Sequence, residues 1–203
     1  MPVLHVLAGP NGAGKSTYVA RVLEPGLGLP FINADVIAKQ RWPDAVAEHA
    51  YEAAELAERQ RRALMAQGRS FITETVFSHE SKVVLVGDAA ALGYLVHLHV
   101  VLLPVDVTVQ RVRERVRRGE HDVSEDKVRQ RYARLWSHVA GATNFADVVD
   151  FFDNSRAATP FRLVATMEQG RLVGTPDWPV WTPPELTALG APPRASGGGG
   201  SGV

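Results

Sequence analysis

A chain of 203 residues with 22 Lys plus Arg balanced by 22 Asp plus Glu is sized for one hydrophobic core and carries no global field to gather nucleic acid or an acidic membrane surface. The absence of cysteine excludes disulfides, thiolate metal sites and thiol nucleophiles. No signal-peptide pattern opens the sequence and no run approaches the roughly 18 apolar residues of a membrane span, so a soluble, cytoplasmic protein with no membrane partner is expected.

In chain order, residues 3–8 form a short apolar run that reads as a buried strand, and residues 16–23 are amphipathic at helical spacing. Between them lies Gly-Pro-Asn-Gly-Ala-Gly-Lys-Ser-Thr, residues 9–17. Further buried strands are predicted at 30–33, 70–74, 94–103 and 148–153, with two short edge strands at 161–167 and 171–174. Helices are predicted at 45–67, after Pro43 and before Gly68, and at 81–92, before Gly93. Two basic helices, 105–118 and 124–138, flank the turn Gly119-Glu120-His121-Asp122-Val123 and read as a helical hairpin. The alternation predicts an α/β fold, a P-loop kinase-like parallel five-stranded sheet with helices on both faces and the hairpin, about 105–138, as a lid. One domain is expected over 1–182, followed by a Pro/Gly-rich flexible tail over 183–203.

The spacing Gly, four residues, Gly, Lys, Ser is met by Gly9, Gly14, Lys15 and Ser16. In that pattern the glycines allow tight turns, and the amides of Asn11, Gly12, Ala13, Gly14, Lys15, Ser16 and Thr17 converge on a polyphosphate at a helix start. Lys15 adds positive charge on the β- and γ-phosphates, and the Ser16 hydroxyl is the expected ligand of Mg²⁺, so ATP and Mg²⁺ are the expected cofactors.

Asp35 and Glu74 fall at the carboxyl ends of the second and third strands, the ligand edge of such a sheet. Asp35 reads either as a general base for an attacking hydroxyl and a substrate contact, or as the cap of a helix starting at Val36. Glu74 is a candidate for binding substrate or holding a metal-bound water. Arg111, Arg115 and Arg118 share one face of the first basic helix, and Arg131 and Arg134 sit on the second. Arginine forks there suit the charge that phosphoryl transfer spreads over equatorial oxygens: Arg115 and Arg118 are the catalytic candidates, and Arg111, Arg131 and Arg134 the substrate-binding ones. The bland alternative is solvated helix arginines paired with neighbours such as Glu114 or Glu125. His121 reads as a turn residue, and Asn154-Ser155 as a plain turn before a nucleotide-base contact.

Taken together, the phosphate loop, Asn33-Ala34-Asp35, Glu74-Thr75, Gly119 to Val123, Arg131-Tyr132 and Asp153-Asn154-Ser155 resemble the short branch of the zeta toxin family, over about residues 3–166. The resemblance implies a P-loop kinase of adenylate-kinase-like topology, with UDP-N-acetylglucosamine as the inherited acceptor and an antitoxin as partner. It also implies that Asp35 is the general base, Lys15 the phosphate-loop lysine and the basic hairpin an arginine-bearing lid. The leading expectation is therefore an ATP- and Mg²⁺-dependent kinase acting on a hydroxyl of a small molecule. Two readings stand beside it: a kinase of polynucleotide ends, disfavoured by the zero net charge, and an ATP-dependent switch that transfers phosphate only to water.

Overall fold

The computed structural model describes residues 1–117 and 124–190. Seven strands form one sheet: β1 Val3–Ala8, β2 Phe31–Ile32, β3 Phe71–Thr75, β4 Leu95–Leu102, β5 Val148–Asp153, β6 Arg162–Glu168 and β7 Arg171–Val173. They lie in the order β2-β3-β1-β4-β5-β6-β7. The first five are parallel, as expected, and β6 and β7 extend the sheet antiparallel. β1 is central, and the chain departs from it first toward β3 and later toward β4. That reversal makes the carboxyl end of β1 the crevice in which an open α/β sheet holds ligands.

The helices are α1 Lys15–Tyr18, continued through a π-helical turn Val19–Leu23 into α2 Glu24–Leu27, then α3 Ala34–Arg41, α4 Ala50–Ala66, α5 Ser81–Ala91, α6 Val105–Arg117, α7 Glu125–Ala142 and α8 Pro184–Thr187. Strand β1 shows why its sequence is apolar on both faces. Leu4, Val6 and Ala8 point into a large core with Leu64, Leu85, Leu135, Trp136 and Val139 of α4, α5 and α7. Leu7 points the other way, into a smaller core with Tyr18, Val19, Leu23 and Phe152. A strand covered on both faces has no solvent side to mark with polar residues. On the smaller-core face burial, reinforced by the nearby His97 ring, pushes the His5 pKa down to about 4. Burial, with His97 and His5 adding, takes His99 down to about 2, so both rings are neutral at pH 7.

Three elements differ from expectation. Helix α4 starts at Ala50 rather than 45 because His49 stacks on Trp42, centroids 4.5 Å apart, and holds residues 43–49 in turns. Helix α7 runs on to Ala142 because Val139 and Ala142 are buried in the large core. Beyond residue 182 the chain forms α8, whose Leu186 is fully buried in that core, with Leu189 packed against it. The last part of the expected tail, 191–203, and Arg118, Gly119, Glu120, His121, Asp122 and Val123 of the hairpin lie outside the described residues.

Candidate active site

Strand β1 delivers the chain at Ala8 into the phosphate loop, where two glycines are required sterically. A Cβ at Gly9 would stand 2.5 Å from the Val101 carbonyl oxygen of β4, so only glycine lets the loop pass that strand. Gly14 has φ +93°, and a Cβ there would meet Asn154 Nδ2 at 2.7 Å. The left-handed Gly14 is the N-cap of α1, which aligns the amides of Lys15 and Ser16 at the helix start.

Lys15 is 5 % exposed. Its ammonium donates to the Pro10 carbonyl at 3.0 Å and pairs with Glu74 Oε1 at 3.7 Å. Burial lowers its pKa, the charges of Glu74 and Asp35 oppose that, and Arg115 adds to the lowering. Asp35 and Arg115 thus both lie within electrostatic reach of the loop lysine, although neither is its neighbour in sequence.

Glu74, at the end of β3, joins the groups together. Its Oε2 accepts from Ser16 Oγ at 2.7 Å and from Asn33 Nδ2 at 2.8 Å. Asn33 Oδ1 in turn accepts from the amides of Asp35 and Val36, at 2.7 and 3.3 Å, and caps α3. The cap is therefore Asn33, and Asp35 sits exposed in the first turn with its carboxylate not engaged in capping. Asparagine takes the role because its backbone is extended, φ −141° and ψ 127°, as an N-cap must be.

The other wall of the loop comes from residues read in the sequence as a turn. Asn154 Nδ2 donates to the Ala13 carbonyl at 2.8 Å, and Asn154 Oδ1 accepts from the Phe161 amide at 3.3 Å. Arg111 of α6 donates to the Gly12 carbonyl at 3.0 Å and to the Asn154 carbonyl at 3.1 Å. Arg111 thus braces the back of the loop with both ends of its fork. The motifs containing Asn33 and Asn154 are visible in the sequence, but their partners are not, because Glu74 and Ala13 lie 41 and 141 positions away.

The remaining arginines are less convergent. Arg115 is exposed and Arg131 half-buried, while Arg134 is exposed on α7. Among the described residues neither Arg131 nor Arg134 bonds to the phosphate loop. Arg113 with Glu125, and Arg129 with Asp106 at 3.0 Å, are ion pairs between α6 and α7, and Arg129 also pairs with Glu125 of its own helix at 2.8 Å. These pairs line a cleft of about 310 Å³ between the two helices.

A phosphate loop at the switch point of a mostly parallel sheet, with Ser16, Glu74 and Asp35 gathered at its mouth, defines an α/β P-loop protein of the kinase-like kind. The chain belongs to the AAA_33 family, described as an AAA domain, whose model matches residues 4–137. No curated protein matches the sequence. Among solved structures, the AvrRxo1-ORF1:AvrRxo1-ORF2 complex is similar at TM-score 0.64 and 17 % identity, over 97 % of this chain and 66 % of that one. The same complex with ATP gives 0.59 and 18 %, over 98 % and 66 %. The PezAT toxin–antitoxin system of Streptococcus pneumoniae gives 0.54 and 15 %, over 75 % and 68 %. At such identities the likeness speaks for the fold. Among the described residues no helix is long and apolar enough to cross a membrane.

Proposed function

We propose that this protein is an ATP- and Mg²⁺-dependent kinase that phosphorylates a hydroxyl of a small molecule, with a nucleotide-sugar such as UDP-N-acetylglucosamine the first acceptor to try. The observation that carries the reading is Glu74, which ties the loop hydroxyl of Ser16 and the cap of the Asp35 helix to one carboxylate beside Lys15. Ser16 Oγ and the Glu74 carboxylate are hard oxygen donors of the kind Mg²⁺ takes, and the ion, when bound, supplies charge neutralisation on the β- and γ-phosphates.

In this reading the loop amides and Lys15 hold the polyphosphate, and Lys15 moves from the Pro10 carbonyl to the transferring phosphoryl. The acceptor oxygen forms a bond to the γ-phosphorus as the bond to the bridging β–γ oxygen breaks, ADP leaves, and the hydroxyl proton passes to the Asp35 carboxylate. Arg115, within reach of Lys15, and Arg118 stabilise the equatorial oxygens. Glu74, Arg131 and Arg134 are the proposed acceptor contacts, and α6 and α7 the lid that excludes water. A restraining protein partner fits the same reading, since the PezAT neighbour is a toxin–antitoxin system and the AvrRxo1-ORF1 neighbour is in complex with AvrRxo1-ORF2.

The deciding experiment is incubation with γ-labelled ATP, Mg²⁺ and either UDP-N-acetylglucosamine or a fractionated cell extract. A labelled small molecule, absent with Lys15→Ala, upholds the proposal. Label on oligonucleotide ends instead, with binding that falls steeply with salt, makes it a polynucleotide-end kinase. Label released only as phosphate across all fractions makes it a switch.

A further inference from the structure

The smaller-core face of the sheet carries a cluster that phosphoryl transfer does not use. His5 on β1 stands directly opposite His97 on β4, and His99 lies two residues further on the same face. The three rings are mutual neighbours, with centroids 5.5 Å apart for His5 and His97, 5.4 Å for His5 and His99, and 3.9 Å for His97 and His99. One nitrogen from each ring lies within 4.8 Å of the other two.

We propose that His5, His97 and His99 form a binding site for a zinc-class transition-metal ion, with Asp150 orienting His97. Two observations beyond proximity support it. His5 Nδ1 and His99 Nε2 face each other at 3.1 Å. Two nitrogens bound to one tetrahedral Zn²⁺ at about 2.0–2.1 Å stand about 3.3 Å apart, so this pair already has the spacing of two ligands. His97 Nε2 lies 2.8 Å from Asp150 Oδ2, and the Thr166 hydroxyl donates to Asp150 Oδ1 at 2.7 Å. A histidine that donates one ring N–H to a hydrogen-bonded carboxylate presents its other nitrogen as a ligand, the usual outer-shell arrangement of a zinc histidine.

Dense packing of neutral histidines is the competing explanation, and metal titration separates the two, because His99 Nδ1 is buried with no hydrogen-bond partner among the described residues in either case. On metal binding the N–H shared between His5 Nδ1 and His99 Nε2 moves to the other nitrogen of its own ring, so two neutral imidazoles face the ion and no net proton is released. Movement of His97 by less than about 2 Å, within the reach of its side-chain torsions, closes the third ligand to the same tetrahedron. His97 and Asp150 keep 23 % and 19 % of their side chains exposed, which gives the ion an entry path. Imidazole donors select Zn²⁺, Co²⁺ or Ni²⁺ over Mg²⁺, so the site is chemically separate from the oxygen donors at the phosphate loop. It ties β1 to β4 beneath Tyr18 of α1, whose ring is 5.6 Å from that of His99.

The test uses the full chain without a histidine tag, stripped with chelator and titrated with Co²⁺, then back-titrated with Zn²⁺. Binding of one equivalent with the intense visible bands of tetrahedral Co²⁺, displaced by Zn²⁺, is the expected result, together with a rise in Tm on adding Zn²⁺. His97→Gln, at the half-exposed edge, removes the bands, Asp150→Asn weakens affinity about 10–100-fold, and His79→Gln, on an exposed loop, changes neither. Absence of tetrahedral bands in the folded wild-type chain, or bands that survive His97→Gln at unchanged affinity, overturns the proposal.

Discussion

The Ser16 hydroxyl donates to Glu74 Oε2 at 2.7 Å, linking the phosphate loop to the end of the neighbouring strand across 58 residues of chain. A carboxylate so placed accepts the hydrogen bond of the hydroxyl and turns the Ser16 oxygen lone pairs toward the position of a phosphate-bound Mg²⁺. Glu74→Gln should therefore raise the Mg²⁺ concentration needed for half-maximal transfer by about 10–100-fold, the usual worth of a group that orients a metal ligand. Ser16→Ala should do at least as much. A magnesium titration of labelled-phosphate transfer measures both, and an unchanged midpoint for either removes the pair from the metal site.

Asp35 and Asn33 separate cleanly because Asn33 alone caps α3. Asp35→Asn should lower single-turnover transfer by about 10²–10⁴-fold, the typical value of a positioned base, while ATP affinity and Tm stay near wild type. Asn33→Ala should cost about 1 kcal/mol of stability through loss of the cap. Wild-type transfer by Asp35→Asn would redirect the search for the base to Glu74.

Asn154 should prove essential to nucleotide binding although its backbone lies on the far wall of the loop. Asn154→Ala leaves the Ala13 carbonyl and the Phe161 amide without their partner, at about 1–3 kcal/mol for each group that stays buried and unpaired. The expected result is weaker ATP binding by calorimetry together with a lower Tm. Gly14→Ala, with φ +93° and a 2.7 Å approach to the same side chain, should produce the same pair of effects, and silence in both would mean that the loop repacks freely.

Arg111 donates to two main-chain carbonyls of the loop region, so Arg111→Lys, which keeps charge but not the fork, should weaken ATP binding nearly as much as Arg111→Ala. If lysine restores wild-type affinity, charge rather than bracing is what matters there.

Leu186 is fully buried between α8 and the large core. Leu186→Ala should destabilise the fold by about 2–5 kcal/mol, and removal of residues after 182, which takes α8 with it, should destabilise it further. Thermal unfolding of the two variants checks this.

Local rules in the sequence determined the strand–loop–helix at residues 3–18, the five parallel strands and the placement of Glu74 at a strand end, because an apolar run followed by closely spaced glycines and a lysine is a short-range pattern. Boundaries set by distant contacts were not legible in it: Trp42 with His49 delayed α4, and the core held α7 to Ala142 and drew in α8. Partner choice lay wholly in the tertiary structure. Both Asn33 and Asp35 are good caps by type, and only the extended backbone at residue 33 assigned the cap to one and left the other at the loop. Asn154, Arg111 and the three histidines acquire their partners from strands and loops that adjoin only after the sheet is assembled, and hydrogen bonds between residues about a hundred positions apart leave no periodicity along the chain.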